Sequence, residues 1–191
     1  MLKIGITGNI ASGKSRIEEF IRNKGYNVID LDNVVHDLYQ NNKTVKENIL
    51  KTFGELDRKV LGQIVFKDIQ KKKQLEKIIY PILEEEIKKI FSKHINKVIF
   101  ISGALIYEAG FDKYFDKIIF VDADYEKRLE RLIKRNNYNI DEAKKRLDSQ
   151  NLNYIDKADY IIKNNGTLYE LGLLCNKVLN EILMLGELDG I

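Results

Sequence analysis

Residues 8–15 read GNIASGKS and stand between the apolar run KIGIT (3–7) and the pattern RIEEFI (16–21). Two glycines followed by lysine and serine, in the form G-x-x-x-x-G-K-[ST], describe a loop that winds around phosphate with its amides pointing inward. Such a path demands glycine where a side chain would collide or φ must be positive, and Gly8 and Gly13 meet that demand. Lys14 would reach the β- and γ-phosphates of a bound nucleotide. The Ser15 hydroxyl would hold Mg²⁺ at the start of a helix whose dipole favours the anion. A strand before and a helix after turn the pattern into a site; a glycine-rich turn with a solvated lysine is the plain alternative.

Working outward, four short apolar runs at 3–7, 26–29, 98–102 and 117–121 have the near-continuous apolar content of buried parallel strands, and 159–163 is a fifth. Helical spacing follows the first, with Ile17, Phe20 and Ile21, and the fourth, with Leu129, Leu132 and Ile133. The last helix is the plainest: Leu171, Leu174, Cys175, Val178, Leu179, Ile182 and Leu183 recur at three and four, behind a Thr167/Glu170 capping box. Asn139 with Glu142 is a second cap, opening a short helix through Arg146 and Leu147. Strand and helix in alternation predict a doubly wound α/β fold, a parallel sheet of about five strands, in a single domain over 1–191. The interval 34–91 breaks the rhythm with helical patterns alone, including Leu75, Ile78, Ile79, Ile82, Leu83, Ile87 and Ile90. It reads as an inserted helical region in which Pro81, lacking an amide donor, interrupts or restarts a helix.

Composition bounds the partners. In 191 residues, 44% are hydrophobic and 32% charged, with a net charge of +3. Lys and Glu are interleaved, so no basic face is expected for nucleic acid. No apolar run nears the roughly 20 residues of a membrane span, and Lys3, Lys14 and Arg16 come too early for a signal peptide. One cysteine excludes an intrachain disulfide and suits a reducing compartment, the cytoplasm. Cys175 lies on an apolar stripe and has no expected catalytic role.

Several classes of nucleotide protein are disfavoured. A guanine switch would carry N-K-x-D, but Asn23-Lys24, Asn42-Lys43, Asn96-Lys97 and Asn176-Lys177 all lack the aspartate. Mechanical ATPases place a carboxylate at the end of an apolar strand; VIFIS (98–102) ends in Ser102 without one, although IIFVD (118–122) ends in Asp122. The second carboxylate pair is in VIDLD (28–32). In a parallel sheet the carboxyl ends of the strands gather around the phosphates, so Asp30 and Asp32 should face the cradle. Strand alternation puts both on one side. Asp32 is the candidate base for an acceptor hydroxyl, with the cap of a helix beginning near Val34 as its alternative role. Arg128, Arg131 and Arg135 form one stripe of the helix after IIFVD, either a solvated face or positive charge for the migrating phosphoryl group.

Taken together, GITGNIASGKS (5–15), VIDLD, LDRKVLGQIVF (56–66), YPILEEEI (80–87), ALIYEAGFDKYFD (104–116), IIFVDADYEKRLERLIKRN (118–136), EAKKRLDSQ (142–150) and ADYIIKNNGTL (158–168) resemble the dephospho-coenzyme A kinase family. The resemblance runs nearly end to end. It implies a P-loop kinase core with a helical substrate region and a lid, using ATP and Mg²⁺ to phosphorylate the ribose 3′-hydroxyl of dephospho-coenzyme A. Gly8, Ala11, Ser12, Gly13, Lys14, Ser15 and Arg16 then resemble the ATP-phosphate site. Asp32 matches the catalytic aspartate and Arg131 a transition-state arginine. Arg135 and 136–150 resemble the lid, Asn164 to Gly166 the loop beside the adenine, and Arg58, Tyr80 and Glu108 the acceptor side. Departures from the family pattern are His36, Tyr80 and Ala104, all on the acceptor side, and Asn9 in the loop. A small-molecule partner, no nucleic acid, no membrane and a monomer or small homo-oligomer are expected. A nucleoside monophosphate kinase and a regulatory module that binds ATP without turnover are the rival readings; the second has no use for Asp32 or Arg131.

Overall fold

Burial on both faces of KIGIT fixes the centre of the fold: Ile4 and Ile6 are fully buried on one face, and Gly5 and Thr7 are buried on the other. In the computed structural model, which describes residues 1–149 and 154–188, this run is β1 (Leu2–Gly8). β2 (Val28–Asp30), β3 (Val98–Ser102), β4 (Lys117–Asp122) and β5 (Tyr160–Lys163) complete the sheet in the order β2-β3-β1-β4-β5, every pair parallel. β1 lies at the point where the chain turns from one half of the sheet to the other. In open α/β sheets that point, at the carboxyl ends, is where ligands bind.

β1 extends one residue beyond its expected run at each end and β4 one residue beyond its end, while two strands begin later than expected. β2 begins at Val28 instead of residue 26, because the Tyr26 amide bonds back to the Ile21 carbonyl of α1 (Lys14–Asn23). β5 begins one residue late because Asp159 is spent on its neighbour, its carboxylate accepting from the Ile118 amide at 2.8 Å.

One sheet face is closed by α1 and α8 (Leu168–Leu188), through Ile17, Ile21, Leu171, Cys175, Leu179 and Ile182 against Ile4, Ile6, Phe100 and Ile119. Each such side chain, fully buried, is worth about 1.5–3 kcal/mol. Burial also pushes the Cys175 thiol up to about 12, slightly opposed by Lys24, which leaves it inert at neutral pH. A separate cluster joins α6 (Tyr125–Asn136) to α7 (Ile140–Ser149) through Leu129, Leu132, Ala143 and Leu147, with Ile10 and Ala11 packed against it. Both capping boxes form as expected. Asn139 Oδ1 accepts from the Glu142 amide at 2.9 Å while Glu142 Oε2 accepts from the Asn139 amide at 3.1 Å, and Thr167 and Glu170 repeat the exchange at the start of α8.

The chain divides into two compact units, Met1–Asp30 with Ile95–Ile191 and Leu31–His94. The second holds four helices: α2 (Leu31–Asn41), α3 (Lys43–Phe53), α4 (Arg58–Lys67) and α5 (Ile69–Lys93). Asn42, Asp57 and Asp68 cap the last three with their side chains. Its limits compare with the 34–91 read from the helical patterns.

Pro81 does not break α5, against the expected interruption. It removes one backbone bond, but Ile79 before it and Leu83 and Ile87 after it are all buried, and that packing holds both halves in one helix. Since Pro81 itself is exposed, Pro81→Ala should restore the missing bond at no packing cost and stabilise the protein by about 1–3 kcal/mol. A guanidinium unfolding midpoint that rises supports this account of α5; a midpoint that falls contradicts it.

Candidate active site

The end of β1 leaves no space for a side chain: a Cβ on Gly8 would stand 2.2 Å from the Val121 carbonyl oxygen of β4. The chain then turns through Ala11 at φ 59 and Gly13 at φ 98, both in the left-handed region, before α1 starts at Lys14. Alanine there costs of order 1–2 kcal/mol, so something must hold it. Arg131 of α6 does so. Its Nη1 donates to the carbonyls of Ala11 (3.4 Å) and Ser12 (3.2 Å), and its Nη2 to the carbonyl of Asn164 (2.8 Å). Asn164, buried just after β5, adds a bond from Nδ2 to the Ser12 carbonyl at 2.8 Å. A Cβ on Gly13 would meet that same Nδ2 at 2.1 Å.

Because peptide units are planar and trans, a Ser12 carbonyl turned toward Arg131 and Asn164 turns the Gly13 amide the opposite way. That amide opens α1, whose N-terminus has no side-chain cap. The result is a helix end with donors left for an anion. The buried Ser12 Oγ also has no hydrogen-bond partner among the described residues. Ser15, in the first turn of α1, is exposed, and Arg16 is exposed and paired with Glu19 at 2.9 Å. At the end of β4, Asp122 Oδ1 accepts from Asn9 at 3.5 Å.

Lys14 is the most constrained group of the loop. Its Nζ donates to Ser102 Oγ at the end of β3 (2.7 Å) and to Glu18 Oε1 (2.9 Å), while the Ser102 hydroxyl donates to the same Glu18 oxygen at 2.6 Å. Glu18 is 3% exposed. Burial pushes its carboxyl up, but the Ser102 hydroxyl, Lys14 and Arg22 together outweigh burial and hold it below the ordinary carboxylate range. Sequence reading missed Glu18. Its signal was the spacing of four from Lys14, which puts both on one face of α1.

Other expected residues fall in three places. Arg135, at the end of α6, is exposed and donates from Nε to Asn136 Oδ1 at 3.0 Å; the segment beyond it contains α7, and its last residue, Gln150, lies outside the described residues. Glu108 is half-buried in the turns that follow β3. Asp32, Arg58 and Tyr80 belong to the helical unit. There Arg58, first residue of α4, hydrogen-bonds His36 Nδ1 and lies over the Tyr39 ring, 5.3 Å from its centre. Tyr39, not singled out from sequence, has its hydroxyl pKa raised by burial, partly opposed by Arg58. Tyr80 is half-buried in the middle of α5.

Asp32 is not a helix cap. α2 begins at Leu31, so Asp32 sits exposed inside its first turn, where a carboxylate is favoured by the dipole. The same early start removes the strand alternation expected to align Asp30 with Asp32, since extended backbone stops at Asp30.

A family model described as dephospho-CoA kinase matches residues 2–170 of this chain. The dephospho-CoA kinase of Fusobacterium nucleatum is 40% identical to it over 178 residues, which cover 88% of this chain and 92% of the relative. That of Aquifex aeolicus is 37% identical over 194 residues, covering 95% and 98%. Among solved structures, dephospho-CoA kinase from Campylobacter jejuni superposes with a TM-score of 0.68 at 32% identity, over 94% of this chain and 96% of its own.

The Glu18 arrangement has a consequence in acid. A carboxyl whose folded-state pKa is depressed adds stability that is complete above its unfolded value, 4.5, and is lost as pH falls through the lower folded value. Glu18→Gln should be less stable than the wild type at neutral pH and lose less stability on acidification below pH 4.5. Urea midpoints at neutral and acid pH measure both; parallel losses in the two proteins would remove Glu18 from the acid response.

Proposed function

The chain belongs to the dephospho-CoA kinase family, and on that footing we propose which of its side chains carry the transfer. The reaction is the ATP-dependent phosphorylation of the ribose 3′-hydroxyl of dephospho-coenzyme A, giving coenzyme A and ADP, the last step of coenzyme A biosynthesis. The single observation that carries the assignment of parts is the loop 8–15, with its outward carbonyls clamped and an uncapped helix end behind it.

In this reading Gly8, Ala11, Ser12, Gly13, Lys14, Ser15 and Arg16 hold the ATP phosphates, and Asn164 borders the adenine. Lys14 follows the γ-phosphoryl group, where its charge counts most as the bond to the leaving oxygen stretches. Three hydrogen bonds use only part of the Arg131 guanidinium, which has five N–H donors in all; the remainder are proposed to face the equatorial oxygens. The described residues hold no group of three or more His, Cys, Asp or Glu side chains that could take a metal. Mg²⁺ would be held by the Ser15 hydroxyl with phosphate oxygens and water, a ligand set that suits this ion. When bound it neutralises charge on the phosphates.

On the acceptor side, Asp32 positions the 3′-hydroxyl and accepts its proton, while Arg58, Tyr80 and Glu108 bind the rest of the acceptor. The helical region, about 34–91, serves as the substrate-binding part and 136–150 with Arg135 as a lid. No helix of the described residues is long and apolar enough to cross a membrane. A cytoplasmic enzyme, monomeric or a small homo-oligomer, acting on a small molecule without nucleic acid, completes the reading; the interleaved Lys and Glu support it.

Asp32→Asn separates this role from a structural one. Asparagine keeps the size and removes the charge that the helix dipole favours, so stability should stay within about 1 kcal/mol and ATP should still bind. The rate should fall by about 10² to 10⁴, the usual worth of a general base. Asp30→Asn is the control and should retain far more activity. Turnover of Asp32→Asn near the wild-type rate would remove Asp32 from the chemistry, and equal losses in both variants would make the pair, not Asp32 alone, the base.

A further inference from the structure

Strand β3 closes without a carboxylate, yet a carboxylate stands at its end. It comes from Glu18 of α1, one turn beyond Lys14, and reaches the Ser102 hydroxyl at 2.6 Å. The three groups form a closed triangle, because Lys14 Nζ lies 2.7 Å from Ser102 Oγ and 2.9 Å from Glu18 Oε1. The Glu18 side chain is 5% exposed and that of Lys14 14%. Its other cation, Arg22, is 44% exposed and stands off at 3.5 Å from the second oxygen. Lys14 is therefore the principal countercharge of a buried anion.

Resting on the reading of loop 8–15 as the nucleotide-phosphate site, we infer that Glu18 is a positioning residue that competes with nucleotide phosphate for the Lys14 ammonium, so that the enzyme discriminates against nucleotide lacking a divalent cation. Whenever Lys14 turns to a phosphate, Glu18 stays buried with only Arg22 and the Ser102 hydroxyl. An uncompensated buried charge is costly, and Glu18 also repels the incoming anion. A divalent cation arriving with the nucleotide lowers the net negative charge brought to the loop, which eases the repulsion. Metal-free nucleotide carries no such relief, so the penalty falls on it.

Calorimetric titration of ATP in excess EDTA and in excess Mg²⁺ tests this by binding alone. Glu18→Gln keeps the hydrogen-bonding shape and removes the charge. It should bind metal-free ATP about tenfold more tightly than the wild type, the size expected from one charge contact at low exposure. Affinity in Mg²⁺ should change by about twofold or less, a residual of screened charge. On a Lys14→Ala background the gain should shrink, because the share that runs through competition for Lys14 is lost and only direct repulsion by Glu18 remains. If the glutamine variant does not fold, Glu18→Asp, which draws the carboxylate back by one methylene, should show the same sign at smaller size. Unchanged or weaker metal-free binding in the folded variant overturns the inference, and so does an equal gain on the Lys14→Ala background. Wild-type protein that binds ATP in neither condition overturns the phosphate-site reading, and this inference with it.

Discussion

The contact on which the rest of this structure depends is the clamp of Arg131 and Asn164 on the carbonyls of residues 11 and 12. Left to itself, a loop with alanine at φ 59 and glycine at φ 98 would relax. The clamp fixes which way each peptide faces and so leaves the start of α1 to a ligand. It also ties together three elements remote in sequence: the turn after β1, helix α6, and the residue that follows β5. Sheet order makes this possible, since β4 lies beside both β1 and β5. The carbonyl of Asp122 at the end of β4 accepts from the Asn164 amide at 2.8 Å and seats that residue.

A second constraint acts beneath the loop. Lys14 is held by a buried carboxylate and a strand-end hydroxyl, so the group proposed to reach for phosphate is already in an ion pair. Breaking such a pair is unfavourable, and whatever replaces it must compensate both charges. This places the electrostatic balance of the site on α1 as well as on the loop.

Much of this was legible in the sequence because it is local. The glycines of GNIASGKS announce their backbone needs, apolar strands report their burial, and Thr167/Glu170 and Asn139/Glu142 are caps by spacing alone. What was not legible depends on residues distant along the chain. Whether Pro81 ends a helix is decided by the burial of Ile79, Leu83 and Ile87, not by proline. A capping role stood as the alternative to the base for Asp32 because the start of α2 could not be read closer than a few residues. Glu18 was passed over, since nothing in RIEEFI shows that Ser102, 84 residues later, comes to meet it. Arg131 was readable as a member of a basic stripe but not as the clamp of the loop.

The most direct test of the account is an assay of ADP release with purified protein, ATP and Mg²⁺, offering dephospho-coenzyme A, pantetheine phosphate, a nucleoside monophosphate, or no acceptor. The account predicts rapid ADP release with dephospho-coenzyme A alone, matched mole for mole by coenzyme A carrying a new 3′-phosphate. Comparable release with a nucleoside monophosphate, or release that is independent of any acceptor, would contradict it.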